Sequence, residues 1–196
     1  MRATGTVTGK RRRSGSRAAA RLLPATALAL VLSATASVPP ALSQQRSTES
    51  GWKVVTRGMR HFTGLTCPDQ VASLNRIRVL SGSADRIAGC IYQNPAGVSA
   101  IVRSHPSGGG AIAARAFRER YGAAGFPLLK TTGAAAAAIS FLTGQEKDTS
   151  RCESLWRFRT SNTDYTLWIA YTLPGQAEAV GPLVTSFAEL LAEKAP

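Results

Sequence analysis

The sequence predicts an α+β fold, one antiparallel sheet built from two strand-strand-helix units with the helices packed on one face. Three observations point there. Two stretches of alternating apolar residues are each interrupted by turn-forming residues, the pattern of hairpins. Each is followed by a segment with apolar residues at helical spacing. The two hairpins also align at one constant offset: Ile91 falls on Phe158, Gly89 on Trp156, Ala100 on Leu167 and Val102 on Ile169.

The chain has 196 residues and a net charge of +13, unevenly spread. Arg2, Lys10, Arg11, Arg12, Arg13, Arg17 and Arg21 precede Ser43 with no acid among them. With 44% hydrophobic and 18% charged residues the composition is globular, which excludes collagen-like, coiled-coil and wholly disordered chains. The basic stretch ends at Arg21, an apolar run follows from Leu22 to Leu32, and Ala34-Thr35-Ala36 supplies a small-x-small site. Residues 1–36 therefore read as a signal peptide cleaved after Ala36, or alternatively after Ser43. Extended to Ala36 the run is about 15 residues, against roughly 20 for a spanning helix, so no stable membrane insertion is expected once the leader is removed. Arg11-Arg12-Arg13 is followed by Ser14, Gly15 and Ser16 instead of large apolar residues, and no cysteine stands near the run. Twin-arginine export and lipid anchoring are thus both disfavoured. The 19 arginines against 5 lysines, with abundant alanine, suggest a bacterium with a GC-rich genome and hence a periplasmic or secreted protein. Residues 37–51 are expected to be a flexible polar N-terminus, and 52–196 a single domain with an internal repeat, 52–126 and 127–196.

Within that domain Trp52, Val54 and Val55 begin the apolar content. Thr66-Cys67-Pro68-Asp69 reads as a capped helix start leading to a short helix near Val71 and Leu74. Ile77 and Val79 alternate with Arg76 and Arg78, as in a half-buried strand. In the first hairpin Asn94-Pro95-Ala96-Gly97 has the signature of a type I turn. Pairing Gln93 with Val98 puts Ile87, Gly89, Ile91, Val98, Ala100 and Val102 on the core face, and Cys90 on the mixed face. In the second hairpin, pairing Thr160 with Tyr165 puts Trp156, Phe158, Leu167, Ile169, Tyr171 and Leu173 inward, with Leu155, Arg157, Arg159, Thr166, Trp168 and Ala170 outward. The expected helices are Ala111 to Tyr121 and Pro182 to Glu193, the second with Gly181 at its cap and Leu183, Val184, Phe187, Leu190 and Leu191 as its stripe. Between them Ala137 to Leu142 reads as a strand and residues 144–150 as a charged loop.

In an oxidising compartment three cysteines allow at most one internal bridge. Cys152 shares the parity of Trp156, on the core side, and Cys90 lies on the other side of the sheet. That separation disfavours Cys90–Cys152 and makes Cys67–Cys90 the leading pair over Cys67–Cys152, with Cys152 then a buried free thiol or an intermolecular one.

Candidate chemistry is sparse. Cys152 has no base near it in sequence, since His61 and His105 are distant, and the Gly-x-Ser-x-Gly elbow is missing. No two cysteines or histidines stand at ligand spacing, so neither metal nor cofactor is expected. Glu146 and Asp148 fit a solvated loop. Ser107-Gly108-Gly109-Gly110 before a helix resembles an anion-binding start, though a flexible connector explains it equally and the Walker lysine is missing. Surface binding could use Arg157, Arg159 and Trp168, with Trp168 opposite Arg157, beside a cluster of Arg115, Arg118 and Arg120. The plainer reading is a solvated face with an arginine lying over a tryptophan. The C-terminal hairpin and its helix with Ser186-Phe187 resemble the small α+β domains of the extrinsic photosystem subunits, a family with many assembly factors; no site is carried across on that resemblance.

The function this sequence favours is an exported envelope protein acting as a non-catalytic binding or assembly module, with an envelope protein or a small ligand as partner and no nucleic acid. A secreted enzyme assembled from distant residues is the alternative, and weak polyanion binding a third.

Overall fold

A computed structural model describes residues 51–81 and 87–192. The expected signal peptide and its cleavage sites lie outside those residues, as does the polar stretch up to Ser50. Among the described residues no helix is long and apolar enough to cross a membrane.

The first strands, β1 (Trp52–Val55), β2 (Gly58–His61) and β3 (Thr66–Pro68), form a small antiparallel sheet in chain order. Trp52 is buried and its indole N–H donates to the Leu80 carbonyl at 2.8 Å. The helix expected from Thr66 does not form. Instead β4 (Gln70–Val71) turns through Ala72, at φ 48°, directly into β5 (Leu74–Leu80). Val71 pairs with Leu74 and both are buried. Two apolar residues three apart share a face in a helix and face each other across a two-residue turn, so their spacing does not distinguish the two. The alternation of β5 is also broken: the register shifts between Arg76 and Arg78, and Ile77 at that bulge is 59% exposed.

A seven-stranded antiparallel sheet is completed by β6 (Gly89–Gln93), β7 (Ser99–Pro106), β8 (Ile139–Glu146), β9 (Thr149–Arg159) and β10 (Thr163–Leu173), in the order β4-β5-β6-β7-β10-β9-β8. Gln93 pairs with Ser99, one residue from the expected register. The turn accounts for this. Asn94 and Val98 close it, the Gly97 N–H donates to the Asn94 carbonyl at 3.1 Å, and Gly97 adopts φ 88°. This is a type I turn followed by a left-handed glycine, a three-residue loop. The odd residue reverses the parity of β6. Cys90 and Tyr92 are buried with Val98, Ala100 and Val102, while Ile91 turns to the other face together with Ile101. The second hairpin closes around Ser161-Asn162, with Arg159 paired to Asp164. That is two residues tighter than expected, so parity survives: Trp156, Leu167, Ile169 and Tyr171 are buried as read from the sequence, with Phe158 and Leu173 half-buried. With one odd and one even loop, no constant offset superimposes both strands of the two hairpins. The expected loop 144–150 is likewise a hairpin, turning at Lys147 with φ 45° between β8 and β9.

Two helices cover this sheet, α1 (Gly109–Ala123) and α2 (Ala177–Ala192). The second starts ahead of Pro182, because Ala177 to Val180 are compatible with helix and Val180 extends the buried stripe of Leu183, Val184 and Phe187. Phe187 packs edge-on to Tyr92 at 5.4 Å. Phe117 and Tyr121 of α1 pack on Phe141, at 5.7 and 5.4 Å between ring centres, and the Tyr121 hydroxyl donates to Glu153. Tyr92 and Ala100 share one face with Ile169 and Ser154, whereas Glu153 and Phe141 share the opposite one. The fold class is α+β with an antiparallel sheet, as expected, but the helices lie on opposite faces. The cause is the central pairing of β7 with β10, which aligns Ala100 with Ile169 and Val102 with Leu167 and gathers the apolar sides under α2. α1 follows β7 directly and closes over the mixed side, so the outward set of the second hairpin is covered: Leu155, Thr166 and Ala170 are all buried.

Cys67 and Cys90 are bridged, with 6.3 Å between their α-carbons, and Cys152 is free and buried. The pairing matches the expectation, for a different reason. Cys90 and Cys152 lie on the same face, but β7 and β10 separate their strands, and three strand spacings are about 14 Å. That span is beyond the reach of a disulfide.

Candidate functional site

The glycine-rich start of α1 already holds an anion, supplied by the protein itself. The Gly110 N–H donates to the Asp164 carboxylate at 3.1 Å, and Asp164 is buried on β10. Gly108 offers no side chain to cap the helix, so an acid from a neighbouring strand takes that place at the positive end of the helix dipole. A Cβ on Gly110 would stand 2.9 Å from the Asp164 Cβ, which is why glycine is needed at this contact. The other Asp164 oxygen makes no hydrogen bond and lies 3.7 Å from Arg159 Nε.

Next to it, His105 pairs with Asp164 in the β7–β10 register, and its Nε2 shares a 2.8 Å hydrogen bond with the Thr166 hydroxyl. Imidazole, hydroxyl and carboxylate are the ingredients of a hydrolytic triad, but all three residues are buried beneath α1. Burial, aided by Arg103 and opposed by Asp164, holds the His105 pKa below its ordinary value and keeps the ring neutral. Cys152 lies on the α2 face, across the sheet from His105, and burial raises its thiol pKa, the reverse of what a nucleophile requires. His61 sits in the small sheet between Trp52 and Phe62, with Nδ1 2.8 Å from the Thr63 hydroxyl. The fold thus brings together none of the catalytic pairs weighed from sequence. Among the described residues no group of three or more His, Cys, Asp or Glu is placed to hold a metal ion.

Trp168, singled out for surface binding, is differently engaged. The tighter hairpin sets Leu155 opposite it and Thr166 opposite Arg157, so Arg157 and Trp168 are not directly opposed as expected. Its indole N–H donates to Glu153 at 3.1 Å, on the same carboxylate that receives the Tyr121 hydroxyl. Burial and this carboxylate push the Tyr121 pKa up to about 12.

The remaining arginines frame a groove of about 560 Å³. One wall is α1, with Ala114 on the floor and Arg118 on the rim. The other is β9, contributing Leu155, Arg157, Phe158 and Arg159, and Ala137, just ahead of β8, and Ile139, its first residue, complete the lining. A smaller hollow of about 260 Å³, sharing Arg118 and Arg157, adds Arg115. Arg157 and Arg159 from the expected site are therefore joined by Arg115 and Arg118, while Arg120 lines neither. Among the described residues Arg115, Arg118 and Arg157 have no acid within ion-pair distance. The apolar floor escaped the sequence reading. Its one visible signal is Ala114, four residues after Gly110, where two small residues let the helix lie close to the strands.

No family model matches the sequence, no curated protein matches it, and no solved structure matches the fold, so the resemblance of the C-terminal hairpin and helix to extrinsic photosystem subunits gains no support.

Proposed function

We propose that this chain is an exported, non-catalytic binding module that holds an anionic group of an envelope partner in the groove between α1 and β9. The observation that carries the reading is the set of three arginines, Arg115, Arg118 and Arg157, that meet no acid among the described residues, around a floor of Ala114, Ile139 and Leu155. Guanidinium groups present forked donors suited to carboxylate and phosphate, and an arginine without an internal acid is open to an external one. The leader read from sequence and the Cys67–Cys90 bridge support a periplasmic or secreted location. Two calorimetric titrations of the leaderless protein, with polyglutamate and with inorganic polyphosphate, test the binding. The expected result is saturable binding of at least one polyanion that weakens with added salt and weakens again in Arg118→Gln. Binding of neither, or binding indifferent to Arg118, rejects the function. For location, fractionation of bacteria expressing the tagged full chain is expected to give a shortened form outside the cytoplasm.

A further inference from the structure

Along its outer side the sheet is partly closed by its own chain. The Leu129 N–H donates to the Ser140 carbonyl at 2.8 Å and the Leu142 N–H to the Pro127 carbonyl at 3.0 Å, covering β8. Cover ends where β8 begins. Its first pair is Ile139 with Leu155, and the preceding chain turns away as a 3-10 segment, Gly133–Ala137, reached by the Trp156 indole N–H through the Ala134 carbonyl at 2.9 Å. Among the described residues no strand pairs with Arg157, Phe158 and Arg159 on that side, and the groove lies in that lane.

The ladder shows which backbone groups face that lane. The Thr160 N–H donates to the Thr163 carbonyl, so the amides of Thr160, Phe158 and Trp156 point toward β10. Residues alternate in an antiparallel strand, hence the N–H and C=O groups of Arg157 and Arg159 point away from β10 into the groove. These are the edge groups that a further strand would pair. The side chain of Arg157 lies on the α1 face of the sheet, the same side as Arg118.

We propose that this lane takes an extended acidic segment of a partner protein, which adds a short strand beside Arg157 and Arg159 and sets its carboxylates against Arg118, Arg157 and Arg115. This rests on the anion-binding reading above and names the partner's chemistry. A free phosphate or carboxylate would meet the guanidinium groups but is too small to pair the backbone groups of both Arg157 and Arg159, whereas a peptide supplies N–H and C=O at the strand repeat. A second copy of this chain in the same pose would bring its own arginines against these, so like charge argues against self-association. Strand addition takes affinity from main-chain bonds and specificity from alternate side chains, here acidic toward α1. Three residues at about 3.4 Å each make a contact of roughly 10 Å, a short and reversible graft.

The test is selection of phage-displayed random nine-residue peptides on the leaderless protein, followed by titration of the synthesised winner. Expected are Asp or Glu at alternate positions, a loss of at least tenfold on N-methylating one alternate set of its backbone amides but not the other, and a loss of about fivefold in Arg118→Gln and in Arg157→Gln, both with unchanged far-UV spectra and melting. Acidic winners that tolerate methylation of either set overturn strand addition and leave the anion site standing. So does inorganic polyphosphate binding without acidic enrichment. Neutral or basic winners indifferent to Arg118 and Arg157, or no binding by peptides or polyphosphate, overturn both readings.

Discussion

Replacing Gly110 and Gly122 by alanine, one at a time in the same helix, sets two effects against each other. In a helix interior the change from glycine to alanine is worth about 0.5–1 kcal/mol in favour of alanine. At Gly122, in the last turn of α1, nothing lies within 4 Å of the added methyl, so part of that gain should be realised. At Gly110 the methyl would stand 2.9 Å from Asp164 Cβ and 3.1 Å from its Oδ2, inside van der Waals contact with a buried residue that cannot swing aside. Overpacking of this kind costs about 1–3 kcal/mol. Displacing the carboxylate also weakens the Gly110 N–H bond, a hydrogen bond to a charged group worth about 1.5–3 kcal/mol when intact. The clash wins, with a net loss of about 2 kcal/mol for Gly110→Ala. Urea unfolding followed by circular dichroism should place the Gly110→Ala midpoint below wild type and the Gly122→Ala midpoint above it, at unchanged m-value. In melting temperature the first shift is about 4–8 °C downward. A Gly110→Ala protein as stable as wild type would refute the docking of α1 on Asp164.

Cys152 should not react with a thiol reagent in the native protein and should react once per chain in guanidinium chloride, because its thiol is buried and its pKa raised; rapid native reaction would contradict that placement. The double variant Cys67→Ser/Cys90→Ser should lose about 3 kcal/mol of stability, the loop-closure value for this separation, and peptide maps of unreduced wild type should join the Cys67 and Cys90 peptides. His105 has a folded pKa below its unfolded value of about 6.5, so the unfolded chain takes up the proton first. Its neutral-ring contribution is complete above about pH 6.5 and is lost as pH falls toward the folded pKa. The stability of His105→Gln should accordingly be lower than wild type at pH 7 and should fall less between pH 7 and pH 5.5; an unchanged slope would show that another group governs that window.

Strand existence was legible wherever apolar residues alternated, and faces were legible only as far as the turns were. The β9–β10 hairpin kept its parity because the turn differed from expectation by two residues, and β6 lost its parity because Gly97 added one. A single left-handed glycine decides whether Cys90 and Tyr92 or Gly89 and Ile91 meet the core, and sequence alternation alone is symmetric between those outcomes. The opposite placement of the helices follows from β7 pairing with β10, a contact between segments far apart along the chain that no local pattern encodes. The disulfide partner was read rightly on a wrong face assignment, since strand order and not sheet side keeps Cys90 from Cys152. At the site, Arg157, Arg159, Arg115 and Arg118 were visible as clusters on a strand and a helix. Their convergence was not, because the groove exists only where β8 begins late, and the alanine run at 134–138 gives no sharp boundary between 3-10 turn and strand. Ser107 to Gly110 was visible as an anion-binding pattern, and the anion proved to be Asp164, which stands far along the chain.

Amide hydrogen exchange of the free protein, resolved by residue in β9, tests the open lane most directly. Protected amides are expected at Trp156 and Phe158, which face Leu167 and Tyr165, and amides at Arg157 and Arg159 should exchange nearly as fast as an unstructured chain. Equal protection at all four would mean that something already pairs with that edge, and the groove would not be available to a partner.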